Sequence, residues 1–303
     1  MLLAVDVGNT QTHLGVFDRG KLLYEWRAST DAGRTADELA LMFGQFLSLA
    51  SLSFTRSITG VVISSVVPPA TQELREMALK YFGFPPLVVE PGTRTGIKVM
   101  TDHPREVGAD RIANAVAAHE MYPDEGVVVV DFGTAITVDA VSEVGQYLGG
   151  AIAPGIDTSA AALFSATAQI QRVELVAPEC AIGRNTINSV QSGVIFGTAS
   201  LVDGLIERVA FEMGGGDEKG VSVVATGGLA GTVVEHCRGV DHIEPALTLN
   251  GLRLIFERNF AGVRDEPDGV EVPTAETAEP PGPPGRAVAG RAHPRKGAGG
   301  RGV

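Results

Sequence analysis

One short pattern occurs twice in this chain at a fixed spacing, and few folds accommodate that. The apolar run Leu2 to Val5 stops at Asp6-Val7-Gly8-Asn9-Thr10, and the run Val127 to Val130 stops at Asp131-Phe132-Gly133-Thr134. Laid over one another, Asp6 matches Asp131, Gly8 matches Gly133, Thr12 matches Thr137 and Gly20 matches Gly145; 131 minus 6 and 145 minus 20 both give 125. A register kept over four informative positions reads as two copies of one strand-turn-strand unit. Each copy is a buried strand that turns sharply into a second strand. Gly8, with no Cβ, lets the backbone of the first turn come close to a ligand.

The chemistry of such a turn follows from its atoms. Asp6 at a strand tip can hold a hydrated Mg²⁺, while the amides of Gly8, Asn9 and Thr10 and the hydroxyls of Thr10 and Thr12 can meet phosphate oxygens. A plain hairpin with a solvated aspartate would show the same residues locally. The duplication is what separates the readings, because two carboxylate-bearing hairpins facing each other across a cleft would clamp the phosphate tail of a nucleotide. The expected fold is α/β: duplicated ribonuclease-H-like (actin-like ATPase) domains, each a mixed sheet with helices on both faces. Residues 1–121 and 122–260 are the expected domains, and 261–303 a tail.

The rest of the chain fits that frame. Strands are expected at Leu2–Asp6, Thr12–Phe17 and Lys21–Arg27, then a helix from Ala36 to Ala50 opened by the capping box Thr35-Ala36-Asp37-Glu38. Ile58 to Val67 is apolar without alternation, as in a strand covered on both faces. Pro68-Pro69 opens a helix through Phe82, and Leu87–Glu90 is a short strand. After a loop from Pro91 to Pro104, a helix runs from the Gly108 region to Met121. The second copy has strands near 126–132, 135–141 and 146–153, helices over Ile156–Ala168 and Asn185–Met213, a strand at Val221–Ala225 and a last helix over Leu247–Arg258. From Ala261 the residues are Pro, Gly, Ala and charge with no apolar period, which predicts a disordered tail.

Composition narrows the function. The chain carries 24 basic and 36 acidic residues, net −12, so nucleic acid and anionic membranes are poor partners for it. No apolar run reaches the roughly 18 residues of a membrane span, and Asp6 interrupts any signal-like start, so a cytoplasmic location is expected. Cys180 and Cys237 have no metal spacing and are expected to be reduced, buried thiols. No GxxxxGK[ST] or G-x-S-x-G occurs, and Gly297–Gly302 matches GxGxxG without a strand before it or a helix after it.

What remains is a carboxylate-and-amide site, which suits phosphoryl transfer, a reaction that asks for positioning, charge neutralisation and a proton acceptor. Asp6 and Asp131 are placed for metal and phosphate, and Thr134 can donate to phosphate. Asp110, where a loop becomes a helix, is the candidate base, beside Arg111, which could hold a carboxylate or a phosphate. The alternative for that pair is a helix cap and a surface ion pair. Thr226-Gly227-Gly228 could press against an adenine or ribose, or be a simple strand-to-helix turn. His13 reads as a packing residue rather than a catalyst.

In this order, these pieces resemble the type III pantothenate kinases. The matching motifs are Asp6–Thr10, Pro104-Arg105-Glu106-Val107-Gly108-Ala109-Asp110-Arg111, Asp131–Ala135, Pro154-Gly155-Ile156, Ile182–Thr186 with Gln191-Ser192-Gly193, and Thr226–Ala230. The likeness covers about residues 1 to 258. It implies that Asp6, Val7, Gly8, Asn9, Thr10, Gln11, Thr12, His13 and Thr134 bind ATP. It implies that Gly108, Ala109, Asp110, Arg111 and Thr186 bind pantothenate, with Asp110 accepting the proton of its primary hydroxyl. Asp131 is similar to the family's potassium-site residue. The implied cofactors are Mg²⁺ with ATP and a monovalent cation, K⁺ or NH₄⁺, and the implied assembly is a homodimer to which the 185–213 segment contributes. The sequence departs from the family at Thr101, His103, Ile136 and Gln171, which bears on the pantothenate pocket and not on the reaction. The alternatives are a non-catalytic actin-like nucleotide-binding or transcription accessory protein, and a kinase for another small hydroxyl compound.

Overall fold

The computed structural model describes residues 1–167, 172–214 and 221–260. Its strands are β1 (Leu2–Val7), β2 (Gln11–Asp18), β3 (Lys21–Ser29), β4 (Gly60–Ser65), β5 (Leu87–Val88), β6 (Lys98–Val99), β7 (Gly126–Phe132), β8 (Ala135–Val141), β9 (Gln146–Pro154), β10 (Val221–Thr226) and β11 (His242–Ile243). Its helices are α1 (Ala36–Leu49), α2 (Phe54–Ser57), α3 (Pro68–Met77), α4 (Ala109–Met121), α5 (Ile156–Ala166), α6 (Thr186–Met213), α7 (Ala230–Val233) and α8 (Leu247–Phe260). A π-helical turn, Ala78–Phe82, continues α3 and closes on Gly83 at φ 83°.

The two sheets repeat one topology. The first has the order β3-β2-β1-β4-β5, and the second contains β9-β8-β7-β10-β11 with β6 added beyond β9. In each, an antiparallel meander of three strands is followed by strands parallel to the first. The duplication legible in the sequence is therefore a duplication of the sheet, and the expected fold class is the observed one. Gly20 (φ 81°) and Gly145 (φ 71°) both occupy the left-handed region at the second turn of the meander, a conformation that costs glycine nothing.

Three cores hold the sheets. Leu3, Val5 and Val7 alternate with Leu2 and Ala4 along β1, and the two sets enter different cores, as a strand covered on both faces requires. The outer core of the first sheet is closed by Leu39, Phe43 and Leu47 of α1 with Ala70 and Leu74 of α3. Each fully buried large side chain there contributes about 1.5–3 kcal/mol. Thr35 caps α1 as expected, with Glu38 reaching back to its amide at 2.9 Å. Helices α4 and α8 lie between the sheets, meeting Ala4 and Val62 on one side and Val127, Val129 and Val224 on the other. They touch so closely at Gly251 that any side chain there would collide with the Ala113 carbonyl. The outer face of the second sheet packs on α5 and α6 through Val130, Phe132, Val194 and Ile195.

Several elements differ from expectation. Lys98–Val99, expected in a loop, pairs in parallel with Gln146–Tyr147 of the second sheet. The strand β11 and helix α2 are likewise too short to leave a periodic signal. Helix α5 stops at Ala166. Cys180 is exposed and not buried, on the irregular segment before α6, while Cys237 is half-buried; both are free thiols. The expected tail, with its GxGxxG, lies outside the described residues.

Candidate active site

The two doubled turns touch. Thr10 Oγ1 lies 2.9 Å from Thr134 Oγ1, so the tip of each meander faces the other. In the first turn Gly8 N donates to Gln11 O at 3.0 Å; in the second, Gly133 N donates to Ala135 O at 3.1 Å. The second turn is thus one residue shorter, and a one-residue shift moves every following side chain to the other face. Val7 pairs with Thr12 in the first sheet, whereas Asp131 pairs with Thr137 in the second. Thr12 therefore points to the outer core, its hydroxyl 2.9 Å from Thr30 Oγ1. Thr137 points inward and donates to Asp139 Oδ2 at 2.9 Å. The linear match of Thr12 with Thr137 is not a match in space; His13, paired with Asp6, takes the place of Thr137.

The expected nucleotide segment divides by this alternation. Val7 is buried in the outer core with Thr12. Asn9, Thr10 and Gln11 form the exposed tip. Asp6 and His13 face inward; His13 is buried and bonds Glu25 Oε2 at 3.2 Å. Burial and then the Arg27 charge push His13 below its ordinary value, while Glu25 pulls it back, so the imidazole adds little positive charge.

Asp6 and Asp131 both feel the charge of Asp110, and Asp6 also feels that of Asp131. Burial pushes the Asp6 carboxyl up to about 7; the Asp110 charge adds to this, the Ser64 hydroxyl opposes it, and Asp131 and Arg27 follow with opposite signs. Asp131 is pushed up to about 6, again first by burial, against the amide of Asn114 and with Asp110 and Asp139 adding negative charge. Asn114 Nδ2 donates to Asp131 Oδ2 at 3.0 Å, and its own oxygen accepts from Thr248 Oγ1 at 2.8 Å. That chain fixes the amide so that it can only donate to Asp131. Asp110 is raised by burial, then lowered by the Arg111 amide, which donates to its Oδ1 at 2.8 Å. Its carboxylate folds back over the start of α4, where any β-carbon on Gly108 would collide with it.

Arg111 is anchored by the protein through two of its nitrogens, with no bond formed at Nη1 among the described residues. Its Nε donates to Asp139 Oδ1 at 2.9 Å, its Nη2 donates to the same oxygen, and its guanidinium stacks 5.7 Å from the Tyr147 ring centre. Tyr147 OH also donates to Asp139 Oδ1 at 2.7 Å, and burial drives its phenol far above the ordinary value. Asp139 and Asn114 were not singled out from sequence. The available signal was one polar residue inside an apolar strand, Ala135-Ile136-Thr137-Val138-Asp139-Ala140-Val141, and one inside an apolar helix, Ile112–Ala118.

The Thr226–Ala230 turn closes on the second carboxylate. Gly227 has φ 97°, and a side chain on it would start 2.6 Å from Asp131 Oδ1. Thr186, by contrast, sits at the start of α6 and lines a separate cavity of about 970 Å³ with Ile136, Leu163, Arg184 and Leu201. None of Asp6, Gly108–Arg111 or Asp131 lines that cavity.

Among the described residues, no group of three His, Cys, Asp or Glu could hold a metal ion by itself. The donors nevertheless suit a hard cation. Asp131 keeps Oδ1 free of Asn114, and Asp6 and Asp131 are buried carboxyls whose charged forms lack, among the described residues, a compensating cation bonded to them. Such a site takes a cation whose remaining ligands are phosphate oxygens and water. Among the described residues, no helix is long and apolar enough to cross a membrane.

Comparison with known proteins gives the family of the chain. The sequence profile of the family described as type III pantothenate kinase matches residues 2–208. The chain is 51% identical over 264 residues to the type III pantothenate kinase 2 of Symbiobacterium thermophilum, covering 87% of this chain and 99% of that one. It is 49% identical over 265 residues to the type III pantothenate kinase of Streptomyces coelicolor, covering 86% and 99%. Among solved structures it resembles a Baf family transcriptional activator from Campylobacter jejuni (TM-score 0.53, 19% identity, 85% and 98% covered). It also resembles (R)-2-hydroxyglutaryl-CoA dehydratase component A from Acidaminococcus fermentans (TM-score 0.51, 17% identity, 86% and 98% covered). At these identities the two structures speak for the fold alone.

Proposed function

The chain belongs to the type III pantothenate kinase family, and from that premise we propose that it transfers the γ-phosphoryl group of ATP to the primary hydroxyl of pantothenate, giving 4′-phosphopantothenate for coenzyme A synthesis. The observation that carries the reading is the convergence of Asp6, Asp110 and Asp131 beside two glycine turns that touch through Thr10 and Thr134.

The residues divide the work as follows. The tip from Gly8 to Gln11, with Thr134 opposite, holds the phosphate tail through amides and hydroxyls. Asp110 accepts the proton of the attacking hydroxyl. Its raised affinity for protons suits that role, since a base works best when its pKa approaches the working pH. Arg111, locked on Asp139, is a rigid wall of the acceptor pocket rather than a swinging arm. Mg²⁺ bound with ATP near Asp6, and K⁺ or NH₄⁺ at Asp131, would neutralise charge on the phosphates when bound.

Thr186 is a pantothenate contact that lies apart from Asp110 within one chain, which favours a homodimer in which each chain's Thr186 serves the other's site. The lobes 1–121 and 122–260 work as the two jaws of the cleft, and the protein works in the cytoplasm. The test is a panel of small hydroxyl compounds in a coupled ADP assay with and without K⁺. Pantothenate-dependent ADP production supports the proposal. ADP formed only with another alcohol would make it a different kinase, and ATP binding without turnover on any of them would make it a nucleotide-binding protein.

A further inference from the structure

Arg27 is a side-chain cation at the cleft that none of the roles above uses. Arg27 on β3 pairs with His13 on β2, which pairs in turn with Asp6 on β1. Cross-strand partners share a face of a sheet, so Arg27 stands on the inward face with Asp6. Its guanidinium extends to the glycine turn of the other half of the molecule. A β-carbon on Gly228 would begin 3.9 Å from Arg27 Nη1 and 4.0 Å from Gln11 Oε1.

Arg27 is exposed, and among the described residues it forms no ion pair. Glu25, two residues away on the same strand, bonds His13 instead. Asp6 and Asp131 feel its charge without bonding it. A guanidinium placed between two amide-rich turns and left unpaired has the geometry of a group waiting for an anion with several oxygens. Its planar fork matches phosphate in a way that an ammonium does not.

We propose that Arg27 binds the terminal phosphates of ATP, closing the phosphate clamp from the first half of the molecule against the Gly227-Gly228 turn of the second. The assignment rests on the kinase reading above and adds a residue to it. It also gives the clamp one fixed positive charge from the chain itself, beside those that bound cations bring. An arginine at this position acts on developing charge at the transferred group as well as on binding, so its loss affects turnover as well as ATP affinity.

The experiment compares Arg27→Gln and Arg27→Lys with the wild type, by calorimetric titration with Mg·ATP in the absence of pantothenate and by steady-state kinetics in each substrate. For Arg27→Gln, ATP affinity and kcat/KM for ATP should each fall by about tenfold or more, with the pantothenate KM within about twofold of wild type. Arg27→Lys should recover part of the ATP affinity but not all of it. An Arg27→Gln protein with both ATP parameters within about twofold of wild type overturns the proposal. Should that variant fail to fold, Arg27→Lys decides: weaker ATP binding at an unchanged Tm supports the assignment, and unchanged binding overturns it. A wild type that binds ATP yet makes no ADP with pantothenate defeats the substrate reading alone, because the titration still tests Arg27.

Discussion

Arg111 and Asp139 form a buried ion pair, 28 residues apart on α4 and β8, with Tyr147 and Thr137 also donating to the same carboxylate. The Asp139 side chain is 1% exposed, with three protein donors on Oδ1 and one on Oδ2. The pair sets the direction of the Arg111 guanidinium and, through the backbone of α4, the carboxylate of Asp110 beside it. Breaking a buried pair by removing one charge costs on the order of 3 kcal/mol, because the other charge is left uncompensated. Asp139→Asn should therefore lower Tm by roughly 5–10 °C, as scanning calorimetry would measure. Its pantothenate KM should rise by about tenfold while ATP affinity is kept; equal loss of both would mean that the pair supports the whole cleft.

Asp110→Asn keeps the size and the backbone contact at the start of α4 but cannot accept a proton. Turnover should fall by about 10²–10⁴-fold, with ATP still binding in a titration. In the wild type, kcat/KM should drop as pH falls, because the base must be ionised. The drop should begin above the range of an ordinary carboxylate, since burial holds the Asp110 carboxyl above its usual value. Unchanged turnover in the variant refutes the base.

Asp6 and Asp131 make the ligand-free protein sensitive to pH in a direction opposite to most carboxylates. Their folded values are pushed up to about 7 and about 6. Between pH 4 and 7 the folded state consequently binds more protons than the unfolded chain, whose carboxylates titrate near 4. The stability due to these groups is present below that range and is lost as pH rises through 6 and 7. In chelated, nucleotide-free buffer Tm should fall between pH 5 and 8. Asp6→Asn should flatten that slope and gain on the order of 2 kcal/mol at pH 8, as urea unfolding would measure. The same variant should lose activity.

If Thr186 serves the site of a partner, two defective chains can make one good site. Asp110→Asn and Thr186→Ala proteins, unfolded together and refolded, should recover about a quarter of wild-type activity from the mixed dimers, each with one intact site. No recovery in a mixture shown to contain mixed dimers would place Thr186 in its own chain's site or in none.

Gly251 of α8 has no room for a side chain, because a backbone carbonyl of α4 cannot give way as a rotamer can. Gly251→Ala should cost about 1–3 kcal/mol by forcing the two central helices apart, measurable by urea unfolding. Since those helices carry Asp110, Asn114 and Thr248, activity should fall with it.

The doubled motif was legible because it rests on local chemistry. A buried strand ending in Asp-x-Gly has a composition and a period of its own, and two copies at one spacing specify two equivalent sheets. The same locality makes Asp6, Asp131 and the helix-start Asp110 readable from the sequence. Thr12 and Thr137 mark where it stops: they align in the sequence, yet the shorter second turn sends them to opposite faces.

What only the tertiary structure decided is which polar side chains meet. Asp139 finds Arg111, Asn114 finds Asp131 and Thr248, and Arg27 crosses to Gly228. Each of these pairs joins segments far apart in the chain, and no local pattern encodes a separation that only the packing of two sheets about α4 and α8 brings to contact distance. By itself, the order of residues determined the strands, the turns and the kind of chemistry they could hold. The meeting of the two halves determined which carboxyls are buried and so hold their protons more tightly, since that depends on how much water the packing excludes.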